Sequence, residues 1–556
     1  MIRNMLTHPI GKVPAWAWIL GLLPWVWVIP LNQSFWDDWI YAAPQSFEWG
    51  LDYWLIDGAK HYLDPIFMPI LYRIGPWFIH CLSIASVCVA AWSFAQVIQR
   101  VTNSTAESIP WFAPIFLVLP IFHARFSAVT VEYTIALAAT AMAWHKLLSL
   151  SQRGKHLVVS MLLIIAIGVP SVAVLFPMIY LSSLLNARLL NQRYHWRLVV
   201  EHSYILMIPI LFSSIFALTI NDKGKYLISE GGLIAFVKGA IVLVVIFAPI
   251  SFFSLRKLRF KKKDPSRANL MIAGSAVAIH IGFFPYLAVG FNPIADFLPW
   301  RLRSNVAQGL IFRAALSLIV LTLVALVARA SSTRLSSGRH DLSSWLPLVA
   351  AVVFGSMAIS LGPMDWESRH WLISWPFVAL LFISAILRQR RCVQRSSAVS
   401  VFFVLWLATI LISSEYFVDA LKQRAIIEAV EDEVAPVVAE RMVQQTPTLI
   451  VIDSIASTDN LNARFRRYRS HEWWGLSLVG LKSNPKQLWV LERDDFTLAK
   501  GEKCKSTRTA IFLSPDVRSS RLDVLLGRGV TIELNPVLRD ICTLSIRAGW
   551  PRDREP

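Results

Sequence analysis

The amino-acid sequence predicts an α-helical polytopic membrane protein of about 12–13 transmembrane helices, followed by a small soluble α/β domain. Three observations predict it. Apolar residues form 55% of the chain and gather in runs long enough to cross about 30 Å of hydrocarbon. Lys and Arg collect at alternate ends of those runs. Past Ser414 the runs stop, and short strand-like and helix-like stretches alternate.

The runs lie near 14–30, 75–97, 109–122, 127–149, 157–187, 203–220, 231–254, 269–290, 308–328, 344–361, 371–387 and 398–414. The first, Ala15–Ile29, lacks a small-residue cleavage pattern and is expected to stay as a helix. The run 157–187 is long for one span and short for two. Pro170 and Pro177 interrupt it, so it divides at Gly168-Val169-Pro170 into two short helices, which makes 13 spans.

Charge orients them. Loops 1–13, 98–108, 146–156, 188–202, 255–268, 329–343 and 388–397 hold 23 Lys and Arg. Loops 31–76, 123–126, 169–171, 221–230, 291–313 and 362–370 hold 9. The first set is therefore cytoplasmic, together with the N-terminus. The cluster Arg256, Lys257, Arg259, Lys261, Lys262 and Lys263 is hard to translocate and anchors this assignment. The net charge of +18 follows from membrane orientation. The basic residues are not gathered on one soluble domain, so no nucleic-acid partner is expected. The acids Asp37, Asp38, Glu48, Asp52, Asp57, Asp64, Asp222, Glu230, Asp296, Asp365 and Glu367 map to the outer side, which points to chemistry there.

The first outer loop, 31–74, is the longest between spans. Its segment Phe47–Tyr62 mixes apolar residues with Asp52, Asp57 and His61, and is expected to form one or two interfacial helices. Near its start stands Asn32-Gln33-Ser34-Phe35-Trp36-Asp37-Asp38-Trp39. Adjacent carboxylates repel one another, and a carboxylate close to lipid is costly. Interfacial tryptophan anchoring and helix capping by Asp are the structural alternatives to a functional role.

After the last span, Ala425–Arg441 is charged and helix-prone. Thr448–Ile452, Leu488–Leu491, Ala510–Leu513 and Val530–Leu534 read as strands, and Leu522–Leu526 as helix. The chain is thus expected to divide into a membrane domain, 1–415, and an extracytoplasmic domain, 416–556. The latter has no P-loop and no Gly-x-Gly-x-x-Gly pattern for a nucleotide. None of the five cysteines has metal or redox spacing. Outside the membrane, Cys504 and Cys542 have the opportunity to pair.

In this layout the chain resembles the GT-C glycosyltransferases, polytopic enzymes that use a polyprenyl-phosphate-linked sugar. Asp37-Asp38-Trp39 is similar to the Asp-Asp-Trp type motif in the first outer loop of bacterial members. The resemblance covers the layout of about 415 residues and a motif of three. It implies an enzyme of the bacterial inner membrane that moves a hexose or pentose from a polyprenyl-phosphate donor to a cell-envelope glycan or glycolipid acceptor. It implies Asp37 as the general base for the acceptor hydroxyl. It implies Asp38 as a group that orients the acceptor or, with Asp37, holds a divalent cation, Mg or Mn.

The anionic leaving phosphate calls for outer-face cations, and Arg suits bidentate contact. Arg301 and Arg303, after Pro299-Trp300, lead the candidates. Arg369-His370 follows, in the loop Gly362–Trp371 beside Asp365 and Glu367. Arg125, Lys223 and Lys225 complete the set, each with interfacial snorkelling as its alternative. Trp39, with Trp36, Trp49 and Trp54, stacks on sugar or anchors the loop. His61 and Asp64 are candidates to complete the first-loop site. Glu132 is an intramembrane carboxylate that contacts substrate or braces Arg125. His80 and His280 read as interhelical hydrogen-bond partners. A lipid-linked saccharide transporter or flippase shares this architecture, but favours midplane charges and internally repeated halves. The charges here sit at the outer ends of spans, and no repeat is visible. An O-antigen-type polymerase or ligase would centre on Arg369 and His370.

Overall fold

The computed structural model describes residues 13–32, 64–102, 108–119, 130–148, 155–169, 172, 175–189, 202–208, single positions between 237 and 274, 350–351, 372–387, 391–443, the strands between 448 and 546, and most of 524–530. Its helices are α1 (Ala15–Val26), α2 (Val28–Leu31), α3 (Asp64–Ile74), α4 (Pro76–Thr102), α5 (Phe112–Leu117), α6 (Val131–Leu147), α7 (Lys155–Ile167), α8 (Phe176–Leu189), α9 (Trp375–Leu387) and α10 (Arg391–Val443). A 3₁₀ turn, Ile109–Trp111, leads into α5. The chain forms two compact units. The first contains α1, α2, α4–α9 and α10 up to Ser413; the second contains Asn32–Leu51, Pro65–Pro76 and the chain from Ser414.

The first unit is organised around broken helices. Pro24 lies inside α1 and lacks an N–H, so the Leu20 carbonyl four residues earlier loses its helical donor. Trp406 of α10 supplies the substitute, with its indole Nε1 donating to Leu20 O at 2.7 Å. The Pro24 carbonyl accepts from the Ser413 hydroxyl. That hydroxyl in turn accepts from Trp27 Nε1 at 2.6 Å. The short helix α5 ends in the same way. Trp25 Nε1 donates to Leu117 O at 3.0 Å, and Thr409 Oγ1 to Val118 O at 2.5 Å. In apolar surroundings a carbonyl without such a donor is costly, and neighbouring helices commonly make good the loss. Trp406, Thr409 and Ser413 follow an i, i+3, i+7 spacing, which sets them on one face of α10.

Aromatic packing fills the space between these helices. Phe116 stacks on Trp375 with ring centroids 4.5 Å apart and planes 10° apart. Phe94 of α4 meets Phe112, Phe116 and Trp144 within 6.5 Å. Trp16 lies against Trp111 and Phe402. Gly21 lets α1 approach α5 closely, because a Cβ there would already touch Leu117 at 3.4 Å.

The helices α7 and α8 flank Gly168, where 3₁₀-type bonds run from Gly168 N to Ile165 O and from Val169 N to Ala166 O. Trp144 Nε1 of α6 donates to Ser182 Oγ at 2.6 Å. His156 Nδ1 lies 3.3 Å from Tyr204 Oη, and Ser183 Oγ lies 3.3 Å from His202 Nδ1. These contacts hold the start of α7, the later half of α8 and the helical segment 202–208 together.

Among the described residues, one helix, over Pro76–Val101, is long and apolar enough to cross a bilayer. Shorter apolar helices cover Ala15–Leu31, Lys155–Ile167, Trp375–Leu387 and Gln394–Ile410. Several carry large apolar side chains on their exposed faces. On α1 these are Trp16, Ile19 and Leu23; on α7, Leu157, Val158, Met161, Ile164 and Ile165; on α10, Phe403 and Leu407.

In the second unit, α3 begins with Asp64-Pro65, a first-turn place where proline loses no needed bond. It ends before Gly75, whose φ of 125° suits glycine. Among the described residues seven strands follow α10: β1 (Thr448–Ile452), β2 (Leu488–Glu492), β3 (Phe496–Leu498), β4 (Thr507–Leu513), β5 (Pro515–Val517), β6 (Ile532–Leu534) and β7 (Val537–Ile546). Five make a mixed sheet in the order β2-β1-β4-β7-β3. β1 pairs in parallel with both β2 and β4, setting Ile450 opposite Val490 and Ile511. β7 runs antiparallel to β4 and β3, with a bulge at Thr497/Leu498. β5 and β6 form a separate antiparallel pair.

Replacing Trp406 with Phe keeps an aromatic ring and removes the donor to Leu20 O. The expected loss is about 1–3 kcal/mol of stability, read as a lower thermal midpoint in detergent.

Candidate functional site

Of the residues that the sequence marks for chemistry, Asp64 and Glu132 fall in the described part of the chain. Asp37, Asp38, Trp39, His61, Arg125, Arg301, Arg303, Arg369 and His370 lie outside the described residues, as do Trp36, Trp49, Trp54, Lys223, Lys225, His280, Cys504 and the segment Phe47–Tyr62. The helix that leads to the acidic pair is described in full, and so is a polar strip beside it.

The approach to the pair is held at several points. α2 ends at Leu31, and Asn32 follows with φ at 45°. Asparagine tolerates this left-handed backbone better than most residues and often closes a helix. Upstream, Trp25 is tied to Leu117, Trp27 to Ser413 and Leu20 to Trp406. The chain that runs on to Asp37 and Asp38 thus leaves from a helix end bonded to two other helices.

Beside that end lies a small cleft. Leu22, Trp25 and Val28 form one wall, and His80, Ser83, Ile84 and Val87 of α4 the other, with Leu117 between. His80 and Ser83 stand one turn apart and are its polar members. His80 is fully buried. Ser83 Oγ lies 3.2 Å from Thr134 Oγ1 of α6. Thr134 spends its single proton on Val131 O at 2.8 Å. Ser83 is therefore the donor to Thr134, since a hydroxyl has one proton to give.

Glu132 is expected from the sequence to lie one or two turns inside a span. The structure sets it in the first turn of α6, 5% exposed. Apolar composition starts near 127, whereas the helix starts at Val131 after Thr130. The difference matters electrostatically, because the unbonded N–H groups of a first helical turn favour a negative group. Asp64 likewise begins a helix, α3. Among the described residues no three His, Cys, Asp or Glu side chains are placed to hold a metal.

Ser83, Thr134, Trp406, Thr409 and Ser413 do not stand out in the sequence. Isolated hydroxyls are common in apolar runs. The i, i+3, i+7 spacing of Trp406, Thr409 and Ser413 within 398–414 was the available signal. Compared with known proteins, the chain matches no family model, no curated protein and no solved structure.

The Ser83–Thr134 bond has a measurable signature. A double-mutant cycle of Ser83→Ala and Thr134→Val, read by unfolding in detergent, is expected to give a coupling of about 0.6 kcal/mol. Strict additivity would mean that the two hydroxyls do not bond.

Proposed function

We propose that the protein is a multi-pass membrane glycosyltransferase that moves a sugar from a polyprenyl-phosphate donor to a cell-envelope glycan or glycolipid on the extracytoplasmic face. One observation carries the reading: Asp37-Asp38-Trp39 stands just past an apolar, tryptophan-rich first helix whose end is fastened by side-chain bonds. The membrane part draws support from the exposed apolar faces of α1, α7 and α10. In water such surface would forgo about 25 cal/mol per Å² of burial, which lipid contact supplies. The excess of Lys and Arg in alternate loops orients the chain with the acid-rich loops outside.

The chemistry needs few groups. The Asp37 carboxylate takes the proton of an acceptor hydroxyl as its oxygen attacks the anomeric carbon of the donor. The bond from that carbon to the phosphate oxygen breaks, the configuration inverts, and polyprenyl phosphate departs as an anion. Asp38 orients the acceptor or, with Asp37, holds Mg or Mn. Arg301, Arg303 and Arg369 are the residues assigned to the departing phosphate, by charge and by the bidentate geometry of guanidinium. His61, Asp64, Arg125, Glu132, Trp39 and His370 complete the proposed substrate contacts.

Asp37→Asn keeps the side-chain shape and removes the base. In membranes supplied with labelled polyprenyl-phosphate sugars, this variant is expected to lose about 10²-fold or more of the transfer rate, at unchanged membrane level. Undiminished transfer by Asp37→Asn would refute the assignment. A larger loss in Arg369→Ala than in Asp37→Asn would move the centre to the late outer loop, as in a polymerase or ligase. Movement of a lipid-linked saccharide across the bilayer without transfer would mark a flippase.

A further inference from the structure

We propose that α3 lies in the surface layer of the membrane and binds anionic phospholipid there. This rests on the reading of α4 as a helix that crosses the bilayer, and it concerns a different segment from the interfacial helices expected over Phe47–Tyr62. In α3, Phe67 is 52% exposed, and Ile70 and Ile74 are each 50% exposed. Their i, i+3, i+7 spacing, at about 100° per residue, gathers them within roughly 60° of the helix surface. Met68 and Tyr72 fall on another face and are buried. One face of α3 therefore packs on protein, while a second apolar face is turned outward.

Covalent reach narrows what covers that outward face. Gly75 alone separates α3 from α4, so the end of α3 stays within about 7 Å of Pro76, whatever the direction of either helix. Among the described residues, α4 holds the one helical stretch long and apolar enough to cross a bilayer. Trp77, next to its start, is exposed, which suits the boundary between lipid and water. The strip on α3 thus ends at the level where acyl chains give way to headgroups. Arg73 is exposed too. It stands about 60° round the helix from Ile70, on the side away from Met68 and Tyr72. From there its stem follows the apolar strip while the guanidinium reaches lipid phosphate. An apolar strip edged by a cation, on a helix tied to a membrane surface, is the pattern of a helix lying in the interface.

The test uses the full chain in nanodiscs of equimolar phosphatidylglycerol and phosphatidylcholine. A diazirine-bearing phenylalanine is placed singly at Phe67, at Ile70, at the buried Tyr72, or at Ala85, an exposed residue within α4. After irradiation, mass spectrometry identifies what each probe has captured. Phe67 and Ile70 are expected to give phospholipid adducts, and Tyr72 cross-links within the protein. Adducts at Ile70 are expected to favour phosphatidylglycerol, and Arg73→Gln to lower that preference by about fivefold. Hydrolysed probe or captured protein at Phe67 and Ile70, with lipid captured at Ala85, overturns the inference, because water or a protein surface then covers the strip. Lipid capture at Ile70 that Arg73→Gln leaves equally selective overturns the role given to Arg73. Lipid capture at Phe67 with none at Ala85 upholds the surface contact and fails the membrane-crossing reading of α4 instead.

Discussion

A carbonyl oxygen in apolar surroundings has to find a donor, and the first unit is built around that requirement. Proline at position 24 creates the need, at Leu20 O, and the early stops of α1 and α5 create more, at Pro24, Leu117 and Val118. Each is met by a side chain from another part of the chain, through Trp25, Trp406, Thr409 or Ser413. The net worth of one such bond is about 1 kcal/mol, but leaving a buried acceptor unmet costs more. The arrangement therefore selects one packing of α1, α5 and α10 above the alternatives. Sliding α10 by a turn would strand three carbonyls together.

The same requirement explains the residues chosen. Indole is a large apolar ring with one N–H at its edge, so it fills space and reaches a carbonyl in one side chain. Trp25, Trp27 and Trp406 each use it in that way. Serine and threonine do the same where there is less room, and Gly21 provides the close approach that brings the donors within reach. Outward, the same helices remain apolar, with Ile19 of α1 at 66% and Leu407 of α10 at 56% exposure. A helix that is apolar on its exposed face as well as its buried one departs from the pattern of a water-soluble bundle, and the proposed bilayer setting accounts for it.

Local features of this architecture were legible in the sequence, and long-range ones were not. Pro170 and Pro177 mark a division in the run 157–187, and α7 ends at Ile167 while α8 starts at Phe176. The apolar run 75–97 coincides with most of α4, which continues past it to Thr102. Hydropathy stops at Gln96 and Arg100, but the backbone ladder has no reason to. The change of composition at Ser414 likewise does not interrupt α10, which runs unbroken from Arg391 to Val443. Apolar content and helix continuity obey separate rules, so a boundary in one is not a boundary in the other. The donors to Leu20 and Pro24 come from nearly 390 residues downstream, a pairing that periodicity cannot announce. The acidic pair is legible by its place in the chain, whereas its geometry lies outside the described residues.

The two polar features near the first helix divide the labour in a way that bears on the proposed chemistry. Ser83 of α4 and Thr134 of α6 are buried and bonded to one another, with their protons committed to Thr134 Oγ1 and Val131 O. A hydroxyl whose proton is already given to a structural partner is a poor source of one for a substrate. The buried strip therefore serves cohesion, and the proposed proton transfer falls to groups outside it. In the reading proposed above those groups are carboxylates, among them Asp37 and Asp38. Neighbouring carboxylates raise one another's proton affinity, which moves a carboxylate toward the range where it accepts a proton readily at neutral pH. An interior cross-linked by side-chain bonds between helices is the scaffold on which the proposed sugar transfer would rest.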